Sequence, residues 1–311
     1  MKEKVFIIGA GYVGAECAND LALKDFCDIV LIDILEGIPQ GKSLDMTHSN
    51  PIRYVSPNIR GQNSYDGIEE AKVVVITAGV PRKPGMTREE LLDINFNIVK
   101  SVTEEIKKRN KKAILIVVTN PLDAMTYAAY RISGFERERV IGMAGVLDST
   151  RFRAFIAMEL GVAYEDVSAI TLGTHGDLMV PLPRYATVGG IPVSHLIPKE
   201  KLDSIVDRTR KAGTEIVSLL KTGSAYYGPG TSTAIMVESI IKDKKRVLSA
   251  SVLLKGEYGI NDIFVGVPVI LGEKGVEKVI EMKLEPEELE ALKKSAEHVK
   301  KMQEEIDAKL K

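Results

Sequence analysis

The sequence has few cysteines, no excess of either charge and no long apolar run. Its two cysteines, Cys17 and Cys27, are too few for a disulfide scaffold and lack the C-x-x-C spacing of a redox or metal pair. Basic and acidic residues number 42 and 43, so we expect no broad positive surface for nucleic acid or an anionic membrane. No stretch approaches the roughly 18 apolar residues of a membrane span. We therefore expect a cytoplasmic protein without a membrane or nucleic-acid partner.

The chain is long enough to require two domains, because single cores seldom extend over its 311 residues. In its first half, short apolar runs without alternation are separated by helical stretches, a rhythm typical of parallel strands covered by helices on both faces. Later runs alternate in part and include a probable hairpin at Gly189 and Gly190, which indicates antiparallel pairing. The predicted strands cover residues 4–8, 28–32, 72–77, 113–118, 139–141, 167–172, 246–254 and 263–271.

The predicted fold class is α/β. A doubly wound parallel-sheet (Rossmann) domain should occupy residues 1–145, and an α+β catalytic domain should occupy residues 146–311. The last 25 or so residues carry apolar side chains at three- and four-residue steps, which predicts a terminal helix. Such a helix can dock on its own domain or join a coiled coil.

A glycine-rich loop of the form G-x-G-x-x-G directly follows the first predicted strand and opens a helix. The first glycine allows a tight turn, the second lets the backbone approach a pyrophosphate, and the third lets helix and strand pack closely. The helix N-terminus adds N–H donors for the anion. An ordinary tight turn can show the same pattern. The loop nevertheless predicts a dinucleotide site formed by Gly9, Ala10, Gly11, Tyr12, Val13 and Gly14.

An acidic residue, Asp33, ends the second predicted strand, where it can accept hydrogen bonds from the adenosine ribose hydroxyls. A carboxylate there repels a 2′-phosphate, so the predicted cofactor is NAD rather than NADP. The alternative is a simple turn residue. Two further strands end where an open sheet binds its ligand, and the residues there are Thr77, Ala78, Gly79, Val118, Thr119 and Asn120.

Together these motifs resemble those of the lactate/malate dehydrogenase family, and within it the lactate-dehydrogenase-like malate dehydrogenases of bacteria. The matching segments occur in family order over nearly the whole chain, at residues 9–14, 33, 44–48, 77–86, 88, 118–121, 145–151 and 173–177. The resemblance implies an enzyme that oxidises (S)-malate reversibly to oxaloacetate with NAD, and a homodimer or homotetramer. A lactate dehydrogenase and a non-catalytic NAD-binding protein are the alternatives.

Three residues are candidates for the chemistry of a hydroxyacid. His175 lies between glycines after a strand and can exchange a proton near neutral pH. Asp148 and Arg151 are three apart on a predicted helix and so share one face, although an ordinary surface ion pair would have the same spacing. The resemblance implies that Asp148 orients His175 and that Arg151 binds the substrate carboxylate.

The segment from Gly79 to Arg88 is rich in glycine and proline and predicts a mobile lid, although a solvated basic loop is the plainer interpretation. By resemblance, Arg88 polarises the C2 carbonyl and Arg82 binds the second carboxylate of a dicarboxylate, where lactate dehydrogenases carry glutamine. Asn120 should contact substrate and nicotinamide, and Asn95 should contact the cofactor. No spacing of histidines and cysteines indicates a metal site.

Overall fold

The largest feature of the computed structural model, which describes residues 2–81 and 86–310 and only the backbone of Arg88, is a nine-stranded sheet. Its first six strands run parallel in the order β6-β5-β4-β1-β2-β3. These strands are β1 (Glu3–Ile8), β2 (Cys27–Ile32), β3 (Ile59–Gln62), β4 (Ala71–Ile76), β5 (Ile114–Val117) and β6 (Val140–Gly142).

The strand order reverses between β1 and β4. The chain moves outward from β1 to β2 and β3, and then returns to the other side of β1 as β4. Ile8, the last residue of β1, therefore pairs with Ile32 on one side and with Ile76 on the other. Open α/β sheets bind ligands beside the carboxyl ends of the strands at such a reversal.

Helices cover both faces of the parallel strands. In β1, Val5 and Ile7 belong to one apolar core, and Phe6 and Ile8 belong to a second core on the opposite face. Burial on both faces explains why the apolar runs do not alternate with polar residues. The α-helices are α1 (Tyr12–Lys24), α2 (Ile38–Arg53), α3 (Arg88–Arg109), α4 (Leu122–Ser133), α5 (Gly145–Leu160), α6 (Lys199–Leu220), α7 (Tyr227–Ile241) and α8 (Pro286–Leu310).

The C-terminal half extends the same sheet with antiparallel strands, so the predicted α/β fold class is confirmed. Three of these strands, β12 (Arg246–Lys255), β13 (Asn261–Gly272) and β14 (Gly275–Val279), follow β6 in the sheet. Smaller sheets contain β7 (Val167–Ser168), β8 (Thr171–Leu172), β9 (Val180–Pro181), β10 (Thr187–Val188) and β11 (Ile191–Pro192).

The structure confirms one detail of the strand prediction and corrects two others. The hairpin at Gly189 and Gly190 is confirmed, since both glycines have positive φ and join β10 to β11. The single strand predicted over residues 167–172 is wrong, because β7 and β8 belong to different sheets. The edge strand β3 was not predicted, because its sequence IRGQ has no apolar run.

The terminal helix α8 docks on its own chain. Leu292, Val299 and Ile306 are fully buried. The side chain of Gln303 accepts a hydrogen bond from the Phe264 N–H (2.9 Å) and thereby joins α8 to β13. Across the described parts of the chain, no helix is both long and apolar enough to cross a membrane.

Candidate active site

The glycine loop after β1 is shaped by two close contacts and one open position. A Cβ added to Gly9, where φ is +106°, would lie 2.6 Å from the Ala78 nitrogen, and one added to Gly14 would lie 1.9 Å from the Gly9 oxygen. A Cβ on Gly11 would have no atom within 4 Å, because this residue lies exposed at the N-terminus of α1. The open backbone at the helix N-terminus fits the pyrophosphate of a dinucleotide.

Asp33 lies beside this loop and fixes it in place. One carboxylate oxygen accepts a hydrogen bond from the Ala10 N–H (2.8 Å), and the other accepts one from the Leu35 N–H (3.0 Å). The side chain is half-buried, so it can still accept hydrogen bonds from a ribose at the end of β2.

A cation that sequence analysis missed also binds the loop. The Lys42 amine on α2 donates to the carbonyl oxygens of Ala10 (2.6 Å) and Gly11 (3.3 Å). Burial lowers the pKa of Lys42, and the nearby negative charge of Asp33 opposes that effect. No local motif reveals this role, since α2 is remote in sequence from the loop.

The glycine loop and the ends of β4 and β5 are joined in series by side chains. The Thr77 hydroxyl donates to the Gly9 oxygen (2.8 Å), and the Thr119 hydroxyl donates to the Ala78 oxygen (2.7 Å). The first bond connects the end of β4 to the loop after β1, where the strand order reverses, and the second connects the end of β5 to the end of β4. The three segments predicted to line the ligand crevice therefore lie side by side.

Asn95 on α3 is fully buried beside this crevice. Its amide accepts a hydrogen bond from the Val80 N–H (2.8 Å) and donates to the carbonyl oxygens of Val80 (3.1 Å) and Asn120 (2.6 Å). Asn95 therefore connects the start of the predicted lid to the end of β5. Its contact with a cofactor, and the contacts of Asn120 with substrate and cofactor, stay predictions.

The three residues predicted for catalysis lie together. Asp148 on α5 is buried, and its Oδ2 lies 2.9 Å from Nδ1 of His175. Its other oxygen accepts a hydrogen bond from Nη1 of Arg151 at 3.3 Å. The carboxylate on one helix thus contacts both the histidine and the arginine. Because Nδ1 is engaged by Asp148, Nε2 is the histidine nitrogen that can exchange a proton with a substrate.

The electrostatics of the group favour a protonated histidine. Burial opposes the charged imidazole, but Asp148 outweighs that effect and the pKa of His175 is raised above its ordinary value. Burial lowers the pKa of Arg151, and Asp148 counteracts the change. A carboxylate paired with histidine in this way stabilises the imidazolium that forms when the histidine takes a proton.

A second buried carboxylate, Asp123 on α4, was also missed by sequence analysis. It accepts hydrogen bonds from the Thr174 hydroxyl, from the His175 N–H (3.1 Å) and from the Ser251 hydroxyl (2.6 Å). Its nearest clue in the sequence is its place three residues after Asn120, but the Ser251 partner lies 128 residues away along the chain. A local pattern could not have revealed such a cluster.

Part of the predicted lid, residues 82–85, lies outside the described residues. Arg82 falls outside the described residues, and Arg88 is known from its backbone as the first residue of α3. Their substrate contacts therefore stay predictions. Thr87 caps α3 with a capping box, in which its hydroxyl accepts from the Glu90 N–H and the Glu90 carboxylate accepts from the Thr87 N–H. Among the described residues, no group of three or more histidine, cysteine, aspartate or glutamate side chains could hold a metal ion.

Two family models match successive parts of the chain. The model of the lactate/malate dehydrogenase NAD binding domain matches residues 3–142. The model of the lactate/malate dehydrogenase α/β C-terminal domain matches residues 145–310. Together they cover nearly the whole chain.

Individual proteins of this family are similar in sequence and in structure. A malate dehydrogenase of Roseiflexus sp. (strain RS-1) is 54% identical over 96% of this chain and 97% of its own length. The apo malate dehydrogenase of Picrophilus torridus is 48% identical, with a TM-score of 0.96 over 99% of this chain and 98% of its own. A lactate dehydrogenase of Cryptosporidium parvum, solved with lactic acid and NAD, is 42% identical, with a TM-score of 0.95 over 99% and 98% of the two chains. The fold alone therefore does not separate the two substrates.

The glycine loop with Asp33 fits NAD, and the pair of His175 and Asp148 fits acid–base chemistry on a hydroxyacid. The first family model covers the loop and Asp33, and the second covers His175 and Asp148. The chain belongs to the lactate/malate dehydrogenase family and is an NAD-dependent oxidoreductase.

Proposed function

We propose that this enzyme is a malate dehydrogenase that oxidises (S)-malate reversibly to oxaloacetate. The observation that carries the proposal is the contact of Asp148 with both His175 and Arg151, because a histidine paired with a carboxylate beside a cation supports chemistry on a hydroxyacid. Relatives that are about half identical over nearly their whole length carry the name malate dehydrogenase, which supports the choice of substrate.

In the proposed reaction, Nε2 of His175 takes the proton of the C2 hydroxyl, and Asp148 stabilises the resulting imidazolium. Arg151 binds the C1 carboxylate through its planar guanidinium and fixes the orientation of the substrate. Residues 9–14 and Asp33 would hold NAD, which would supply the hydride acceptor for C2. In the reverse direction, the protonated histidine returns its proton to the oxygen.

The lid completes the proposed site. Arg88 stabilises the negative charge that develops on the C2 oxygen, and Arg82 binds the second carboxylate. Because pyruvate offers no second carboxylate, Arg82 would be left without a partner in the closed site. Arg82 is therefore the proposed determinant of a dicarboxylate substrate.

Two further features belong to the same proposal. The cofactor domain should end near residue 145, at the start of α5, and the catalytic domain should follow it. The enzyme should form a homodimer or homotetramer, which light scattering after size-exclusion chromatography would measure.

The substrate assignment is tested by mixing the purified enzyme with NADH and either oxaloacetate or pyruvate and following NADH absorbance. We expect rapid loss with oxaloacetate and little with pyruvate. Preference for pyruvate would indicate a lactate dehydrogenase. This is the second candidate function because the chain is similar in structure to the Cryptosporidium parvum lactate dehydrogenase. No loss with either substrate would indicate an NAD-binding protein without this activity.

The proposed role of Arg82 has its own test. Arg82→Gln should lower kcat/KM for oxaloacetate relative to pyruvate by about 100-fold or more, because the amide cannot neutralise the distal carboxylate. Lys83→Gln is the matched control, since it removes a neighbouring positive charge from the same segment. An unchanged ratio in Arg82→Gln would show that another residue distinguishes the substrates.

A further inference from the structure

A second carboxylate lies beneath the catalytic histidine, on the first turn of α4. Asp123 is 1% exposed. One of its oxygens accepts hydrogen bonds from the Thr174 hydroxyl and from the His175 N–H, while the other accepts one from the Ser251 hydroxyl on β12. A buried carboxylate is costly unless donors surround it. Two of the donors around Asp123, the Thr174 hydroxyl and the His175 N–H, come from the loop that carries the histidine.

The same loop is anchored from two other elements. The Thr174 N–H donates to the Ser295 hydroxyl on α8 at 2.7 Å, and Ser295 is fully buried. Gly173 exchanges backbone hydrogen bonds with Gly266 on β13 at 2.8 and 3.1 Å. The backbone on the N-terminal side of His175 is therefore held on α8 and β13, and Asp123 holds the residue itself.

We propose that Asp123 is a positioning residue for the acid–base step, which fixes the backbone at His175 and, as an ionised carboxylate, favours the protonated imidazole. The proposal rests on the proposed function, because it assigns Asp123 to the same proton transfer. Asp148 contacts Nδ1 of the imidazole and orients the ring, whereas Asp123 accepts a hydrogen bond from the backbone N–H of His175.

The charges around the imidazole agree with this role. Asp148 and Arg151 face His175 from α5, Asp123 faces it from α4, and Asp177 follows on the same loop. The net charge of Asp148, Asp123 and Arg151 is −1, and the positive charge of a protonated His175 balances that charge. Burial raises the pKa of Asp123, and the hydrogen bonds from Ser251, Thr174 and His175 act against that rise.

The anchoring half of the proposal is tested with Thr174→Val, which keeps the shape of the side chain but removes the hydroxyl donor. We expect kcat for oxaloacetate reduction to fall about tenfold, the range of one charge-assisted hydrogen bond, with an unchanged NADH dissociation constant. Thr174→Ser, which restores the hydroxyl, should recover most of the loss. An unchanged kcat in Thr174→Val, or no recovery in Thr174→Ser, would overturn this half.

The charge half is tested with Asp123→Asn, which keeps an oxygen acceptor but removes the negative charge. The titration of the His175 imidazole is followed by nuclear magnetic resonance, with its signals assigned by their absence in His175→Asn. We expect the imidazole to titrate at lower pH in Asp123→Asn than in the unaltered enzyme, and the alkaline limb of kcat/KM for oxaloacetate to move the same way. An unchanged titration would overturn the charge role, whatever the melting temperature does.

The two proposals fail in different ways. If the unaltered enzyme reduces neither oxaloacetate nor pyruvate, the proposed function fails, yet the imidazole titration still reports on Asp123. If the unaltered enzyme is active and the titration is unaffected by Asp123→Asn, the inference fails alone. Should Asp123→Asn not fold, Thr174→Val with its serine control still tests the anchor.

Discussion

The predicted cofactor loop and the proposed catalytic centre are built in different ways. The loop is a contiguous stretch of backbone, in which the close contacts of Gly9 and Gly14 exclude side chains and Gly11 stays open. The catalytic centre is made of side chains: His175 lies 27 residues beyond Asp148 along the chain and 52 residues beyond Asp123. The difference indicates that cofactor binding and acid–base chemistry can be lost separately.

The largest expected effect concerns the chemistry alone. His175→Asn keeps a donor for Asp148 but removes the group that exchanges the proton. We expect kcat for oxaloacetate reduction to fall by about 10²- to 10⁴-fold, the usual contribution of a general acid or base. The NADH dissociation constant, measured by fluorescence titration, should stay the same.

The exposed His195 provides the matched control. His195→Asn should change neither quantity, because this exposed residue ends a short 3-10 helix (Val193–His195) before α6. A large loss of NADH affinity in His175→Asn would show that the two regions are not separable.

The next largest effect separates the glycines of the cofactor loop. Gly11→Ala should keep the melting temperature, since φ is −65° and the new Cβ meets no protein atom. It should weaken NADH binding by roughly tenfold or more, because the methyl group stands where backbone approaches the pyrophosphate. Gly14→Ala should lower the melting temperature as well, because its Cβ would lie 1.9 Å from the Gly9 oxygen.

Calorimetry and NADH titration on both variants check this pair. Equal melting temperatures for Gly11→Ala and Gly14→Ala would contradict the packing role of Gly14. Full NADH affinity in Gly11→Ala would contradict the binding role of the loop.

The smallest expected effect lies outside both regions. Glu238 on α7 is buried and contacts Lys24, Lys242 and Lys244. Burial opposes ionisation, but Lys244 and Lys24 outweigh it and lower the pKa of Glu238 from 4.5 to about 2. A lowered pKa stabilises the folded state above pH 4.5, and this contribution is lost as the pH falls toward about 2.

Glu238→Gln should therefore lower the melting temperature by a few degrees (roughly 2–4) at neutral pH, and the difference should shrink below pH 4.5. Glu304→Gln on the exposed face of α8 is the matched control. Neither variant should alter kcat or NADH affinity. A melting difference that grows as the pH falls would contradict the assigned sign.

The contrast between the regions also explains what the sequence could predict. The loop, most of the parallel strands and the carboxyl ends of β4 and β5 were predictable because each depends on a short, contiguous pattern. The edge strand β3 was not predictable from such a pattern. Its Gly61 is required by tertiary packing, because a Cβ on this residue would lie 2.1 Å from the Pro39 backbone. A contact of this kind leaves no local pattern.

Within the candidate site, His175, Asp148 and Arg151 were predictable because the resemblance named them and a helix face joined two of them. Asp123 and Lys42 were missed because each acts through partners that only the fold brings close. Buried polar clusters of this kind depend on tertiary structure, and intrinsic sequence patterns do not encode their partners.

The most direct test of proton exchange at His175 is the pH dependence of kcat/KM in both directions, with NADH and oxaloacetate and with NAD and malate. The raised pKa of His175 predicts that reduction declines as the pH rises through a value above 6.5, because the protonated imidazole is lost. Malate oxidation should decline as the pH falls through the same value. A transition shared by both profiles at a pH above 6.5, and abolished by His175→Asn, would support proton exchange by His175. Transitions below 6.5, or profiles that His175→Asn leaves unchanged, would contradict it.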